Sequence, residues 1–466
     1  MIQIDVLPDD ILLEIFDFYV DVSLSYEGKK WIEAWQSLAH VCRRWRSVVL
    51  GSPRRLKLQL YCTPETPVRD TLDVWPAFPL LVRGNDMSLS ASTDNVIAAL
   101  GQSNRVREII LLGLTGWQLE EVLAPMQVPF PELTDLQLWT HDKTSPVIPD
   151  SFLDGSAPRL RIFRLDGIPF PGLPKLLLSA THLVQLLLTN IPHSGYLSPE
   201  AIVAPLSALP SLEVLSLELQ SPESRPDWGL PPPKRSILPA LNVFYFSGVT
   251  EYLEELVTRI DTPQLDTMDL TFFNQIDFAC PRLAQFISCT PILKALDEAH
   301  VQFTDSTASI IFRYRTNESG YGELLINILC REPDWQLSSI EQVCNSSLHP
   351  LSMVEDLYIE HEYSELVWKD DAIENTLWLQ LLLPFTAVKN LYLSKQFAPG
   401  IAAVLQELAG GGITEVLPSL QNILVEGLEP SGPLRENVGQ FVTARQLSGH
   451  PVAISEWVKE SAIESM

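Results

Sequence analysis

The amino-acid sequence predicts an α/β fold: a short all-α block at the N-terminus, followed by an irregular solenoid in which a curved parallel sheet carries outer helices. Two observations lead to this prediction. Over residues 1–55 apolar residues recur at helical spacing, and beyond residue 56 a short strand-like pattern returns many times. A strand followed by a short helix, repeated, buries its apolar residues only against neighbouring units and so builds a solenoid.

The N-terminal block is predicted to contain two helices. Pro8 stands at a first helical position, and Asp9 and Asp10 follow in the positively polarised first turn. One face of the first helix then carries Ile11, Leu12, Ile15, Phe16 and Tyr19. A second helix is predicted from about Ala34 to Leu50, with one apolar side formed by Leu38, Val41, Cys42, Trp45, Val48 and Val49.

The repeated pattern is L-x-x-L-x-L, or a close apolar variant. Copies begin at residues 106, 133, 160, 183, 212, 241, 265, 354, 388 and 420, and the first seven are spaced by 23 to 29 residues. This period is that of leucine-rich repeats. Helix-like segments lie between copies, at 94–102, 201–209, 252–260 and 400–408. The pattern also occurs by chance in leucine-rich helices and sheets, but the number of copies and their narrow spacing favour a repeat array.

The array is irregular, and its boundaries follow from where the pattern changes. We expect helices in 1–55, a connecting segment with the first strand and helix in 56–104, repeats in 105–430, and a C-terminal tail with a helix in 431–466. The first strand is predicted at "LKLQL" (56–60), and a proline-rich loop at 221–239 interrupts the repeats. The period breaks over 300–350, where "SIIFRYR" and "ELLINILC" are predicted as a hairpin or as two degenerate repeat strands.

Composition argues against several classes of partner. The chain has 32 Lys and Arg against 58 Asp and Glu, a formal charge of −26. Such a charge repels phosphate backbones, so no nucleic-acid partner is expected, and it suits basic partners or serves solubility alone. The longest stretch without charged residues, 176–199, is interrupted by polar residues and prolines, so no membrane span is predicted. The start has no signal-peptide pattern, and six scattered cysteines predict reduced thiols in a cytoplasmic or nuclear protein.

No pattern for catalysis is present. The phosphate-binding, dinucleotide-binding, zinc-protease and serine-hydrolase motifs are all missing. His361 lies between Glu360 and Glu362, but an acidic strand explains this triplet better than a metal site, and Gly410–Gly412 fit a helix stop. We therefore expect no enzyme activity, no cofactor and no metal.

The first 55 residues resemble a known module. "LPDDILLEIF" (7–16) matches the opening L-P-x-E-[IL]-L-x-x-I-F of the F-box, with Asp10 in place of the usual Glu. Its second half, a leucine followed by V-C-+-x-W, is matched by Leu38 and "VCRRW" (41–45), although the interval at 20–35 is longer than usual. The whole chain resembles F-box proteins with C-terminal leucine-rich repeats, of the type expanded in mushroom-forming fungi.

The resemblance implies a function. An F-box docks on the Skp-type linker protein of an SCF (cullin–RING) ubiquitin ligase, and the repeats hold a protein substrate, so the chain would be a substrate adaptor that contacts cullin through the linker. The residues expected to bind the linker are Leu7, Pro8, Ile11, Leu12, Ile15, Phe16, Leu38, Val41, Cys42, Arg43, Arg44 and Trp45. The alternatives are that these residues only form the core of a small helical domain, or that the protein is a ligase-independent scaffold or protein-binding module. The segment 34–64 holds six basic residues and no acidic one, which we expect to steer association with an acidic linker.

The substrate surface is predicted from strand alternation. The third, fifth and seventh places of each repeat point away from the core, onto the concave face of the solenoid. From these places we predict substrate contacts by Asp135, Gln137, Trp139, Arg164, Glu218, Tyr245, Asp269, Asp356, Tyr358, Glu360 and Tyr392. Across these places in all repeats eight acidic residues stand against one basic residue, Arg164. This excess of acidic residues predicts a substrate segment rich in Lys or Arg. The alternative is that the face is acidic only because the whole chain is acidic.

Overall fold

The computed structural model describes residues 7–24, 34–65, 67–85, 87, 93–142, 145–220, 235–273, 278, 280–293, 296–313, 322–345, 349–361, 375–408, 414–428 and 433–458. It divides into two compact units, Met1–Tyr196 and Leu197–Met466. Each is a mixed α/β structure built on a sheet of mainly parallel strands. In the described part of the chain no helix is both long and apolar enough to cross a membrane.

The first unit begins with three helices, α1 (Asp9–Leu24), α2 (Ala34–Val41) and α3 (Arg43–Gly51). Leu12, Phe16 and Leu38 are buried between them, and the Phe16 ring lies 4.8 Å from that of Trp45. The prediction of one helix from Ala34 to Leu50 is wrong, because Cys42 is extended (φ −157°, ψ 171°) and its Sγ accepts the backbone N–H of Trp45. Cys42 therefore caps α3 instead of continuing α2.

Six strands of the first unit pair in chain order, each parallel to the next. They are β1 (Leu60–Cys62), β2 (Leu80–Gly84), β3 (Val106–Leu114), β4 (Asp135–Thr140), β5 (Ile162–Asp166) and β6 (Gln185–Ile191). Helices between them are α4 (Val68–Val74), α5 (Asp94–Leu100), α6 (Gly116–Leu123) and α7 (Leu173–Leu177). The strand predicted at 56–60 begins only at Leu60, because turn hydrogen bonds from Leu56 and Leu58 reach back to Ser52 and Pro53.

The second unit has a sheet of ten strands in the order β7-β9-β11-β14-β13-β12-β15-β16-β17-β18. These are β7 (Val214–Leu219), β9 (Val243–Gly248), β11 (Thr267–Phe273), β12 (Glu298–Phe303), β13 (Thr307–Arg313), β14 (Glu323–Leu329), β15 (Asp356–His361), β16 (Asn390–Leu393), β17 (Asn422–Glu426) and β18 (Ala453–Trp457). A separate parallel pair is formed by β8 (Ser236–Ile237) and β10 (Ile260–Asp261). Its helices are α8 (Pro199–Leu206), α9 (Thr250–Arg259), α10 (Pro281–Cys289), α11 (Pro333–Asn345), α12 (Asn375–Leu382), α13 (Ala398–Leu408) and α14 (Pro433–Leu447).

The repeated pattern corresponds to one strand per copy, as predicted. In all ten copies the second and third apolar places lie in a strand, and all three apolar places are buried. Neighbouring copies pair in register, so that Leu136 faces Phe163 and Leu215 faces Phe244 across adjacent strands. The four helix-like segments become α5, α8, α9 and α13. Each unit therefore has the strand-and-helix repeat of a leucine-rich-repeat protein.

Residues in the left-handed conformation recur at the carboxyl ends of several strands. Gly113, Gly167, Asn190 and Gly427 all lie two places beyond the third apolar position and have φ between 51° and 70°. Glycine and asparagine adopt this conformation at the least cost.

The break in the period over 300–350 is a reversal of strand order. Strands β12, β13 and β14 form an antiparallel meander, of which β14 pairs parallel with β11 and β12 pairs parallel with β15. Of the two interpretations open from the sequence, the structure has the hairpin, between β13 and β14. The inserted strand β13 keeps the register, because Ile310 lies between Val301 and Ile326.

Two further segments complete the second unit. The predicted C-terminal tail contains the expected helix, α14, and also β18, which pairs parallel with β17. Of the proline-rich loop predicted at 221–239, residues 221–234 lie outside the described part of the chain, as do Glu362 and Gly410–Gly412. The end of that loop forms β8.

Candidate protein-binding surfaces

The residues predicted to bind the linker divide into two groups. Leu12, Phe16 and Leu38 are buried inside the helical block, whereas Ile11, Ile15 and Val41 are exposed by 47%, 47% and 59%. The remaining ones are exposed (Pro8, Arg43) or half-buried (Leu7, Cys42, Arg44, Trp45). The block thus has an apolar core and, separately, apolar side chains on its surface.

Three exposed side chains form a continuous line along α1. Ile11, Ile15 and Phe18 follow one another at i, i+4 and i+7, which places them on one face of the helix. Phe18 is 73% exposed, and the sequence interpretation missed it although its spacing from Ile11 was visible. We call Ile11, Ile15 and Phe18 the α1 stripe. Exposed apolar residues in a contiguous patch mark a surface that another molecule covers.

Several of the arginines near this stripe are already engaged within the block. Arg44 forms an ion pair with Asp9 at 2.7 Å, Arg55 pairs with Glu14, and Arg46 donates to the carbonyl of Ala39 at 2.9 Å. Exposed ion pairs of this kind contribute about 0–1 kcal/mol. These contacts of the basic segment 34–64 hold α1 against α3 and against the residues that follow α3. Only part of the segment's charge is therefore available for steering a partner.

A second surface is the side of the sheet that faces away from the buried apolar places, which we call the strand face. In the second unit the register aligns its residues in rows that run across the strands. One row runs Thr267, Glu323, Arg313, Glu298, Asp356, Asn390 and Asn422. The next runs Tyr245, Asp269, Leu325, Ile311, His300, Tyr358, Tyr392 and Leu424. The third runs Ser247, Thr271, Asn327, Ser309, Gln302 and Glu360.

At one end of the first row, side-chain hydrogen bonds connect neighbouring strands. Asn422 donates from Nδ2 to Oδ1 of Asn390 at 2.7 Å, and Asn390 donates in turn to Oδ1 of Asp356 at 2.5 Å. Asp356 is only 1% exposed, so this carboxylate lies beneath the surface. Its position fits a role in fixing the row more directly than a role in contacting a partner.

Stacked rings form the middle of the second row. His300, Tyr358 and Tyr392 lie nearly parallel, with centroids 4.3 Å and 4.0 Å apart. The ring of Trp457, on β18, lies 5.8 Å from that of Tyr358 and 5.6 Å from that of Tyr392. His300 and Trp457 were not predicted, because one lies where the period breaks and the other in the supposed tail.

Carboxylates surround His300 on both sides. Its Nε2 lies 2.5 Å from Oε1 of Glu298, and its Nδ1 lies 3.9 Å from Oε2 of Glu360. Burial by itself would lower the pKa of His300, but the hydrogen bonds and charges of Glu298 and Glu360 outweigh it and raise the pKa above its usual value. The histidine therefore carries its charge more readily than a solvated one and offsets part of the acidity around it.

Asp269 lies half-buried in the same row among other acids. Burial, and then the charges of Glu323 and Glu218, raise the pKa of Asp269 to about 6. Its Oδ1 accepts a hydrogen bond of 3.4 Å from Nδ2 of Asn327. An arginine, Arg313, lies one strand away from Glu323 and pairs with it at 2.8 Å. The acidic residues predicted for the strand face of the second unit therefore lie close together in the folded structure.

The strand face of the first unit is smaller and more mixed in charge. Arg83 pairs with Glu108 at 2.5 Å, and Glu108 lies beside Asp135 in register. Burial, opposed by a hydrogen bond from Gln137, raises the pKa of Asp135 to about 6. Arg164 is exposed beside Gln137 in the next row.

The predicted substrate residues therefore form two groups, one in each unit. The first unit brings together Asp135, Gln137, Trp139 and Arg164, and the Trp139 ring contacts that of His141 at 4.5 Å. The second unit holds Glu218, Tyr245, Asp269, Asp356, Tyr358, Glu360 and Tyr392. Among these Tyr358 and Tyr392 are in direct contact, whereas Glu218 and Tyr245 lie at the β7–β9 end of the sheet.

Comparison with known proteins establishes no family for this chain. No protein-family model matches it, and no curated protein does. Among solved structures, the leucine-rich repeat-containing protein LegL7 from Legionella pneumophila is similar at 12% sequence identity, over 85% of this chain and 99% of that chain, with a TM-score of 0.26.

Proposed function

We propose that this chain is a protein-binding adaptor, and specifically the substrate-recognition subunit of an SCF-type ubiquitin ligase in the cytoplasm or nucleus. The observation that carries the proposal is the α1 stripe. A helical block with an apolar core also keeps three large apolar side chains in water, on the helix that matches the first half of the F-box pattern.

The energetic argument for a partner is simple. Covering a side chain such as Ile or Phe contributes about 1.5–3 kcal/mol when it becomes fully buried. The side chains of the α1 stripe are 47–73% exposed, so a partner helix that covers them recovers a substantial part of that amount for each residue. Recognition of a helix through i, i+4 and i+7 anchors is a common mode of protein binding. The Skp-type linker is the partner that the F-box resemblance supplies.

The proposed mechanism needs no chemistry within this chain. Linker and cullin would connect it to the enzyme that carries ubiquitin, while the strand face holds the substrate. The contribution of the adaptor is an increase in the effective concentration of substrate lysines near that enzyme. The alternative is a scaffold that binds the linker without entering a ligase, and it differs from the first proposal only in the absence of cullin.

The test is co-purification of the full chain with a Skp-type linker and cullin. We expect the double variant I11D/I15D to lose the linker, because two carboxylates would be buried in the interface. Leu178→Asp is the matched control, since Leu178 is an equally exposed apolar residue (59%) outside the helical block. Circular dichroism checks that both variants remain folded.

Three outcomes are informative. If the control variant retains linker and cullin and I11D/I15D loses both, the adaptor is supported. If the wild-type chain retains the linker but not cullin, the scaffold is favoured. Equal linker binding by all variants would contradict the assignment of the α1 stripe.

A further inference from the structure

An aromatic cluster at the β15–β18 end of the strand face has the properties of a cation-binding site. It consists of Tyr358, Tyr392 and Trp457, with His300 stacked behind Tyr358. Two repeats, the additional strand β18 and the antiparallel meander supply these rings, so the cluster depends on the folded register and not on a local motif. We call Tyr358, Tyr392 and Trp457 the aromatic cluster.

The orientation of the rings shows how Trp457 is presented. Tyr358 is stacked on His300 at 5° and on Tyr392 at 8°, so both of its faces are covered. Trp457 meets Tyr358 at 61° and therefore approaches it along the ring edge. Ring edges carry positive and ring faces negative partial charge, so edge-to-face contact is favourable. Trp457 also meets Tyr392 at 69°. The half-buried indole thus makes its described ring contacts with the tyrosine pair alone.

Carboxylates flank this cluster on the same face of the sheet. Glu426 pairs in register with Trp457, and its Oε2 accepts the backbone N–H of Lys395 at 3.2 Å. Glu360 lies two residues beyond Tyr358 on the same side of β15, but it is buried against His300 and adds negative charge without an exposed carboxylate. Glu298 contributes a further negative charge next to His300. An aromatic face with carboxylates at its border is complementary to a cation.

We propose that the aromatic cluster, with Glu426, anchors an arginine side chain of a bound protein segment. A guanidinium group is planar, stacks on aromatic faces and donates hydrogen bonds to carboxylates from its edge, whereas a lysine ammonium is a compact and strongly hydrated charge. Tryptophan is the best aromatic partner for such a cation. The inference rests on the proposed function only in identifying the bound segment with a ligase substrate.

The test uses the full chain and a defined probe. A fluorescein-labelled peptide of alternating Arg and Ser is titrated with protein, and binding is read by fluorescence anisotropy at physiological ionic strength. We expect Trp457→Leu to weaken binding about 2- to 30-fold, the range that a cation–π contact of roughly 0.5–2 kcal/mol corresponds to. Trp335→Leu is the matched control, because Trp335 is exposed on α11.

A second pair of variants isolates the charge. Glu426→Gln is expected to weaken binding several-fold, with a smaller loss at high salt, whereas Glu415→Gln, on the loop before β17, should leave it unchanged. Trp457→Phe keeps an aromatic face and should retain more affinity than Trp457→Leu. Thermal unfolding of each variant detects a loss of β18, and the phenylalanine variant keeps the proposal testable if the leucine variant is unstable.

Peptide chemistry supplies the decisive outcomes. A citrulline version of the probe, which has the same shape without the charge, should bind at least tenfold more weakly, and a lysine version should bind less tightly than the arginine one. Equal binding of arginine and lysine peptides, or equal loss from the Trp335 and Trp457 variants, would overturn the proposal and indicate general attraction to an acidic protein. The linker experiment with I11D/I15D is independent of these results, so failure of the site and failure of the proposed function are distinguishable.

Discussion

Neutralising Asp269 should stabilise the protein at neutral pH. Asp269 lies half-buried on the strand face, where burial and the charges of Glu323 and Glu218 raise its pKa from 3.8 to about 6. The variant Asp269→Asn removes the charge while its side-chain oxygen can still accept the hydrogen bond from Asn327. The perturbation therefore changes electrostatics with little change of shape.

The magnitude follows from the pKa. A shift from 3.8 to about 6 corresponds to about 3 kcal/mol, at 1.36 kcal/mol per unit. Because Asp269 is partly in contact with solvent, screening reduces this to about 1–2 kcal/mol. The folded state binds the proton more tightly than the unfolded state, so this carboxyl costs nothing below pH 3.8, costs progressively more as the pH rises to about 6, and costs a constant amount above that.

The assay is urea unfolding of the full chain at two pH values. At pH 7.5 we expect the free energy of unfolding of Asp269→Asn to exceed that of the wild type by about 1–2 kcal/mol, and at pH 4.5 by about a third of that difference. Asp305→Asn is the control, since Asp305 is exposed on the β12–β13 turn. A stabilisation of equal size at both pH values, or the same gain from the control, would refute the reasoning.

Three further substitutions test the packing. Gly167→Ala should lower the free energy of unfolding by about 1–2 kcal/mol, because Gly167 has φ +70° and the added methyl would meet Thr140, whereas Gly51→Ala has open space and should be neutral or stabilising in thermal unfolding. Phe16→Ala should lower the free energy of unfolding in urea by about 3–5 kcal/mol and increase hydrogen exchange in α1, since Phe16 is fully buried. Exchange in α1 as slow as in the wild type would contradict this prediction. Glu254→Ala should lower the free energy of unfolding by about 1–3 kcal/mol, because the buried Glu254 accepts hydrogen bonds from two backbone N–H groups at the start of α10. An unchanged urea midpoint would show that water replaces the carboxylate.

The repeated strands could be predicted because their signal is local. Each copy places its apolar residues at fixed intervals, and burial of all three apolar places in every copy follows from that pattern. The order of β12, β13 and β14 could not be predicted, since it depends on which distant strand each one pairs with. Ile310 and Ile326 face each other in an antiparallel pair, but apolar and polar residues alternate along their strands just as they would in parallel strands.

Two other features were missed for different reasons. The break at Cys42 was hidden because apolar residues continue at helical spacing through it, and because cysteine is not among the usual capping residues. Trp457 was missed because β18 has no L-x-x-L-x-L pattern. Its importance comes from Tyr358 and Tyr392, more than sixty residues earlier in the chain.

The two candidate surfaces should differ in how strongly salt affects their binding, which gives a means of separating them. The α1 stripe is apolar, and the nearby Arg44 and Arg55 are paired within the block, so linker affinity should change little between about 0.05 and 0.5 M salt. Binding of a basic peptide to the strand face rests on carboxylates at the surface and should weaken strongly over the same range. If linker affinity falls with salt as steeply as peptide affinity, charge and not the α1 stripe dominates linker binding.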